Sequence, residues 1–160
     1  MGATAIAALE HGQVDAAVLF GSAITEAQGP SLTILADSRT PDGLRAFFGV
    51  DDYPASCLIA RGEWLRANPD AARRIARAVV RSLAWIRDHT AEQILAQIPA
   101  EFQVGNPAAE LEAIRIAKQM YSIDGRIKPE SAEAVRRVLQ ESGTQATFDL
   151  QQTYTNEFVR

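Results

Sequence analysis

The sequence predicts an α/β fold: a short, mostly parallel sheet flanked by helices, followed by a helical C-terminal half. Three observations lead there. Apolar runs at residues 14–20, 32–36 and 55–60 have the length and composition of strands covered on both faces. Helical patterns alternate with these runs across short connections, as in layered α/β units. Beyond residue 60 the apolar spacing changes to three and four, the helical period. The reading divides the chain into an α/β ligand-binding lobe, residues 1–60, and a helical part packing on it, residues 61–160.

Residues 3–10 read as an amphipathic helix closed by His11 and Gly12, since the helix dipole favours His at the last turn and Gly takes the left-handed cap. A strand follows over 14–20, then a short helix over 22–28 that Gly29-Pro30 breaks, then a second strand over 32–36. Residues 37–54 carry Pro41, Gly43, Gly49 and Pro54 and read as irregular. The third strand is 55–60.

Asn68 as N-cap, Pro69 at the first helical position and Asp70 beside the dipole open a long helix. Its apolar face is Ala72, Ile75, Ala76, Val79, Leu83 and Ile86. Thr90 with Gln93 three residues on is a capping-box pattern. Asn106-Pro107 opens a helix with Leu111, Ile114, Ala117, Met120 and Tyr121 along one side. Pro129 starts another, running to a cap at Gly143, and a short helix is expected after Asp149.

The 160 residues suit one domain or one lobe, and 47% apolar against 22% charged residues can build a core. A net charge of −4 argues against a nucleic-acid surface, which needs a clustered basic face. Arg73, Arg74, Arg77, Arg81 and Arg87 lie along one helix and read as its solvated face. Cys57 is the sole cysteine, so neither an intrachain disulfide nor a multi-cysteine metal site is available, and its apolar surroundings suggest a buried thiol. No run reaches the ~18 apolar residues of a membrane span, and residues 1–12 have no export-signal pattern.

Catalytic motifs are absent. His11 and His89 sit at expected helix ends without a ligand partner at helical spacing, and Asp51-Asp52 diverge on a turn. No cofactor or metal is expected. The segment Phe20-Gly21-Ser22-Ala23 is the one place suited to a ligand: a strand end meets a helix start, where free amides, the Ser22 hydroxyl and the Phe20 ring could converge. The same residues also fit an ordinary strand-to-helix turn.

The ordered motifs "AIAALEHGQVDAAVLF", "LTILADS", "YPASCLIARGEWLRANPDAARRIARAVVRSLAWIRDHTAEQILAQI", "IDGRIKPESAEAVRRVLQESG" and "TYTNEFV" resemble the second lobe and C-terminal helices of periplasmic solute-binding proteins. The group is the nitrate, sulfonate and taurine ABC-transporter binders, relatives of the thiamine-pyrimidine-precursor binders. The resemblance implies one lobe of a type II periplasmic-binding-protein fold that closes on a small anionic or heterocyclic solute and delivers it to a permease. It implies a periplasmic or membrane-anchored extracellular location for the full-length protein. The first lobe, export signal and lipid-attachment cysteine are then expected outside this chain, and binding by the chain alone is expected to be weak or undetectable.

Residues Phe20, Gly21, Ser22 and Ala23 match the segment after the family's "vDaa" strand, and Tyr53 and Ser56 lie on the crossover toward its hinge. Self-association through the uncovered cleft face is a further expectation. Two other classes share the architecture: an enzyme of pyrimidine-precursor synthesis, which would need a reactive His or Cys in the cleft, and an effector-sensing domain of a transcription regulator, which would need a helix-turn-helix upstream.

Overall fold

The computed structural model describes residues 2–20, 23–24, 27, 32–103, 106–144 and 147–159. Its Cα packing separates two compact units, Met1–Ala36 with His89–Gln119, and Asp37–Asp88 with Met120–Arg160.

In the first unit, α1 (Gly2–Glu10) ends as the sequence requires. Gly12 has φ 65°, and the amides of Gly12 and Gln13 donate back to the carbonyls of Leu9 and Ala8, closing the orphan carbonyls of the last turn. The short α5 (Ala91–Leu95) starts at a complete capping box. Thr90 Oγ1 accepts from the Gln93 amide at 3.2 Å, and Gln93 Oε1 accepts from the Thr90 amide at 2.9 Å. Five residues cannot hold a helix on propensity, so this reciprocal cap and the burial of Ala91 and Ile94 sustain it. The helix α6 (Pro107–Met120) is tied to it from outside. Arg115 donates to Glu92 at 2.6 Å, and Lys118 Nζ donates to the His89 carbonyl. Glu92's own backbone amide, and then Arg115, hold its carboxyl below the usual carboxylate range.

The second unit begins with α2 (Pro41–Phe48), then α3 (Gly62–Ala67), α4 (Pro69–Asp88) and α7 (Pro129–Glu141). Asn68 is a shared junction: its backbone amide and side-chain amide both donate to the Trp64 carbonyl, closing α3, while its own carbonyl accepts from Ala72 to open α4. The buried face of α4 is Ala72 and Ala76, and α7 contributes Ser131, Ala132 and Ala134, with Leu44 from α2. Ser131 is an exception in kind: it is fully buried and its hydroxyl has no hydrogen-bond partner among the described residues.

The chain end is fastened to the loop before α7. Asn156 accepts from the Ile127 amide at 2.9 Å and donates to the Ile127 carbonyl at 2.8 Å, while Arg126 reaches the Val159 carbonyl at 3.2 Å. Gly125, at φ 74°, lies against Val80, Leu83 and Val159, where a Cβ would meet Val80 Cγ2 at 3.2 Å.

The expected sheet is not formed: the described residues are helical and irregular, with no strand among them. This overturns the α/β assignment and with it the parallel-sheet lobe of a type II periplasmic-binding fold. The reason lies in pairing. A strand exists through its ladder, and residues 14–20, 32–36 and 56–60 neither give nor receive a backbone–backbone hydrogen bond among the described residues. Their apolar side chains face outward: Val18 is 80% exposed, Phe20 79%, Leu35 85% and Ile59 91%. An apolar run records what a segment could bury, and the burial itself depends on partners elsewhere. Cys57 is likewise exposed, where a buried thiol was expected.

Candidate functional site

Of the sequence-selected residues, Phe20 and Ala23 belong to the first unit, and Tyr53 and Ser56 to the second. Gly21 and Ser22 lie outside the described residues. Phe20 presents its ring to solvent. Ala23 is buried at the start of a helical turn, its carbonyl accepting from Ala27 at 3.0 Å, and acts there as packing.

The second unit gathers a better-defined feature around Tyr53. Sequence reading treated residues 37–54 as irregular, yet α2 forms inside them. Thr40 caps it, its hydroxyl accepting from the Gly43 amide at 3.1 Å, Pro41 stands at the first helical position, and Asp42 faces the dipole. These are the same start signals that located the later helices, and they could have found this one. Gly49 at φ 74° ends it, turning the chain so that residues 50–53 run back beside its last turn.

That reversal builds an aromatic shelf. The Tyr53 ring stacks on Phe48 with centroids 4.0 Å apart and planes 17° from parallel, and Phe47 meets Phe48 edge-on at 4.8 Å and 88°. Both geometries suit ring quadrupoles. Arg45 braces the turn by pairing with Asp42 and, at 2.5 Å, with Asp51, and Arg137 from α7 donates to the Phe48 carbonyl. Asp51, first set aside as half of a solvated carboxylate pair, is therefore a structural partner of Arg45.

Two hydroxyls occur in residues 53–56, one of them on the shelf ring itself. Neither the phenol of Tyr53 nor Ser56 Oγ has a hydrogen bond among the described residues, and Ser56 is exposed. Each can donate and accept. Rigid rings beside uncommitted hydroxyls can hold a planar or apolar group and orient its polar edge. No group of three His, Cys, Asp or Glu suited to a metal occurs among the described residues, and no described helix is long and apolar enough to cross a membrane.

Comparison with known proteins adds one relative. The chain is 28% identical over 102 residues to the Bacillus subtilis (strain 168) protein named "Putative binding protein YtlA", a match covering 61% of this chain and 30% of the relative's length. No protein-family model matches the chain, and no solved structure does. The chain is thus similar, over most of its length, to part of a longer protein named for binding.

Proposed function

We propose that this chain is part of a solute-binding protein, the substrate-capturing component of an ABC-type importer, and that it binds without bond chemistry. The similarity to a relative named as a binding protein carries this reading. The ordered family motifs described above favour the nitrate, sulfonate, taurine and pyrimidine-precursor group, with a permease as partner and a periplasmic or membrane-anchored extracellular location.

The shelf supports the heterocyclic end of that range. A planar pyrimidine can lie against the aromatic group of Phe47, Phe48 and Tyr53 while the Tyr53 and Ser56 hydroxyls meet its ring nitrogens and exocyclic groups. Phe20, Gly21, Ser22 and Ala23, the segment that the family motif marks, are proposed separately as ligand contacts of the first unit, on the sequence pattern alone.

The test is saturation-transfer NMR of the 160-residue chain with taurine, an alkyl sulfonate and an aminopyrimidine at millimolar concentration, which suits weak binding. The aminopyrimidine is expected to show saturation that Tyr53→Ala abolishes and Phe102→Ala, an exposed phenylalanine of the other unit, leaves intact. Absence of transfer to every compound, or transfer unaffected by Tyr53→Ala, refutes the assignment.

A further inference from the structure

The arginines of this chain divide unevenly. Outside α3 and α4, every described arginine has a partner: Arg39 with Asp37, Arg45 with Asp42 and Asp51, Arg61 with Glu63, Arg115 with Glu92 and Glu112, Arg136 with Glu133, Arg126 with the Val159 carbonyl and Arg137 with that of Phe48. On α4, Arg73 pairs with Asp70 at 2.8 Å and Arg87 with Asp88 at 3.0 Å. Arg66 of α3 and Arg74, Arg77 and Arg81 of α4 have neither ion pair nor hydrogen bond among the described residues.

The unpaired set is ordered. Arg77 and Arg81 are four residues apart and Arg74 lies three before Arg77, so these three share one exposed face turned away from buried Ala72 and Ala76, with Arg73, paired to Asp70, at its edge. Like charges at these steps repel and destabilise a helix. Solvent screens such an exposed face, which in a chain of net charge −4 is a local positive surface able to attract a negatively charged molecule.

A second feature adjoins the stripe. Arg73 and Arg77 form one wall of a notch of about 260 Å³ whose other wall is Glu157 and half-buried Phe158. No ion pair joins Glu157 to either arginine, although the three share the notch. The notch therefore offers an apolar ring beside the stripe, with a carboxylate that repels a second acid at that one point.

We infer that the arginine face of α4, with the notch at Phe158, docks an acidic segment of a partner protein, its carboxylates over Arg74, Arg77 and Arg81 and an apolar side chain seated against Phe158. Charge complementarity selects this occupant. Guanidinium forks pair with carboxylates in two-point fashion, and the notch supplies the apolar anchor that such interfaces need. Nucleic acid fits less well: the stripe is short, carries no lysine, and is flanked by Asp70, Asp88 and Glu157.

The experiment is fluorescence anisotropy of the 160-residue chain with a fluorescein-labelled peptide of alternating glutamate and serine around a central phenylalanine. Saturable binding is expected at low salt, weakening at physiological salt. The double variant Arg77→Glu, Arg81→Glu is expected to lower affinity about tenfold or more and Phe158→Ala about threefold, with Glu157→Gln raising it and Arg115→Gln neutral. Circular dichroism checks each fold, and the milder Arg74→Ala, Arg81→Ala pair replaces the charge reversal if that variant unfolds. No saturable binding, binding untouched by the stripe variants, or tighter binding of a short DNA duplex or anionic vesicles than of the peptide overturns the inference.

Discussion

Replacing Gly125 by alanine isolates how the second unit is closed. Gly125 adopts φ 74° and faces Val80 Cγ2 at 3.2 Å, Leu83 Cδ1 at 3.6 Å and Val159 Cγ1 at 3.9 Å, measured from where a Cβ would stand. Two costs combine. Left-handed backbone costs an L-residue about 1–2 kcal/mol, and relieving the Val80 contact adds roughly 0.5–1 kcal/mol as a mild overpacking term, at the low end of what crowded cores show. Gly143 is the control: it has φ 89° and nothing within 4 Å of a Cβ, so it carries the backbone cost alone. The entropy that alanine removes from the unfolded chain is common to both positions and cancels in the comparison.

The assay is urea unfolding followed by tryptophan fluorescence, which reports the second unit because Trp64 and Trp85 both lie in it. Gly125→Ala is expected to cost about 2 kcal/mol, or roughly 4–8 °C in Tm, and to exceed Gly143→Ala by about 0.5–1 kcal/mol. Equal losses at the two positions would refute the contact with Val80, and no loss at either would refute the left-handed backbone.

Other expectations follow from single interactions. Asn156→Ala removes both bonds to Ile127 and leaves that half-buried backbone unpaired, a loss of about 2 kcal/mol in the same urea assay. Ser131→Ala, which deletes a buried hydroxyl without a partner, is expected to be neutral or stabilising by up to about 1 kcal/mol, and a clear loss would reveal a bond to that hydroxyl. Thr90→Ala breaks the capping box and is expected to cost about 1 kcal/mol, read as faster amide exchange across Ala91–Leu95. Arg39 pairs with Asp37 through two side-chain bonds and holds its carboxyl below the ordinary value. The pair's contribution is therefore complete above the unfolded carboxylate pKa and is lost as pH falls through the lowered folded one. The urea midpoint is expected to drop on acidification below about pH 4, and Asp37→Asn to flatten that limb.

The helices were legible because their ends are written locally. Thr90 with Gln93, Pro69, Pro107 and Pro129 at first positions, and Gly12 and Gly143 beyond the last turns all act within a few residues, and each marks a helix end where expected. Thr40-Pro41-Asp42 carried equal information but was masked by the glycines and prolines around it. The sheet was not legible, because the apolar content of residues 14–20 or 55–60 is the same whether a neighbouring strand exists or not. The shelf escaped notice for a related reason: Tyr53 was selected with Ser56 as part of a crossover and without Phe48, whose stack on it depends on a chain reversal at Gly49 that spacing does not reveal.

The buried alanines of α4 and α7 carry a thermodynamic consequence. Ala72, Ala76, Ala132 and Ala134 each withdraw about one methyl group from water, where a leucine would withdraw several times more. Heat capacity of unfolding scales with apolar surface released. Burial confined to methyls thus adds little to the heat capacity of unfolding, and so flattens the dependence of free energy on temperature.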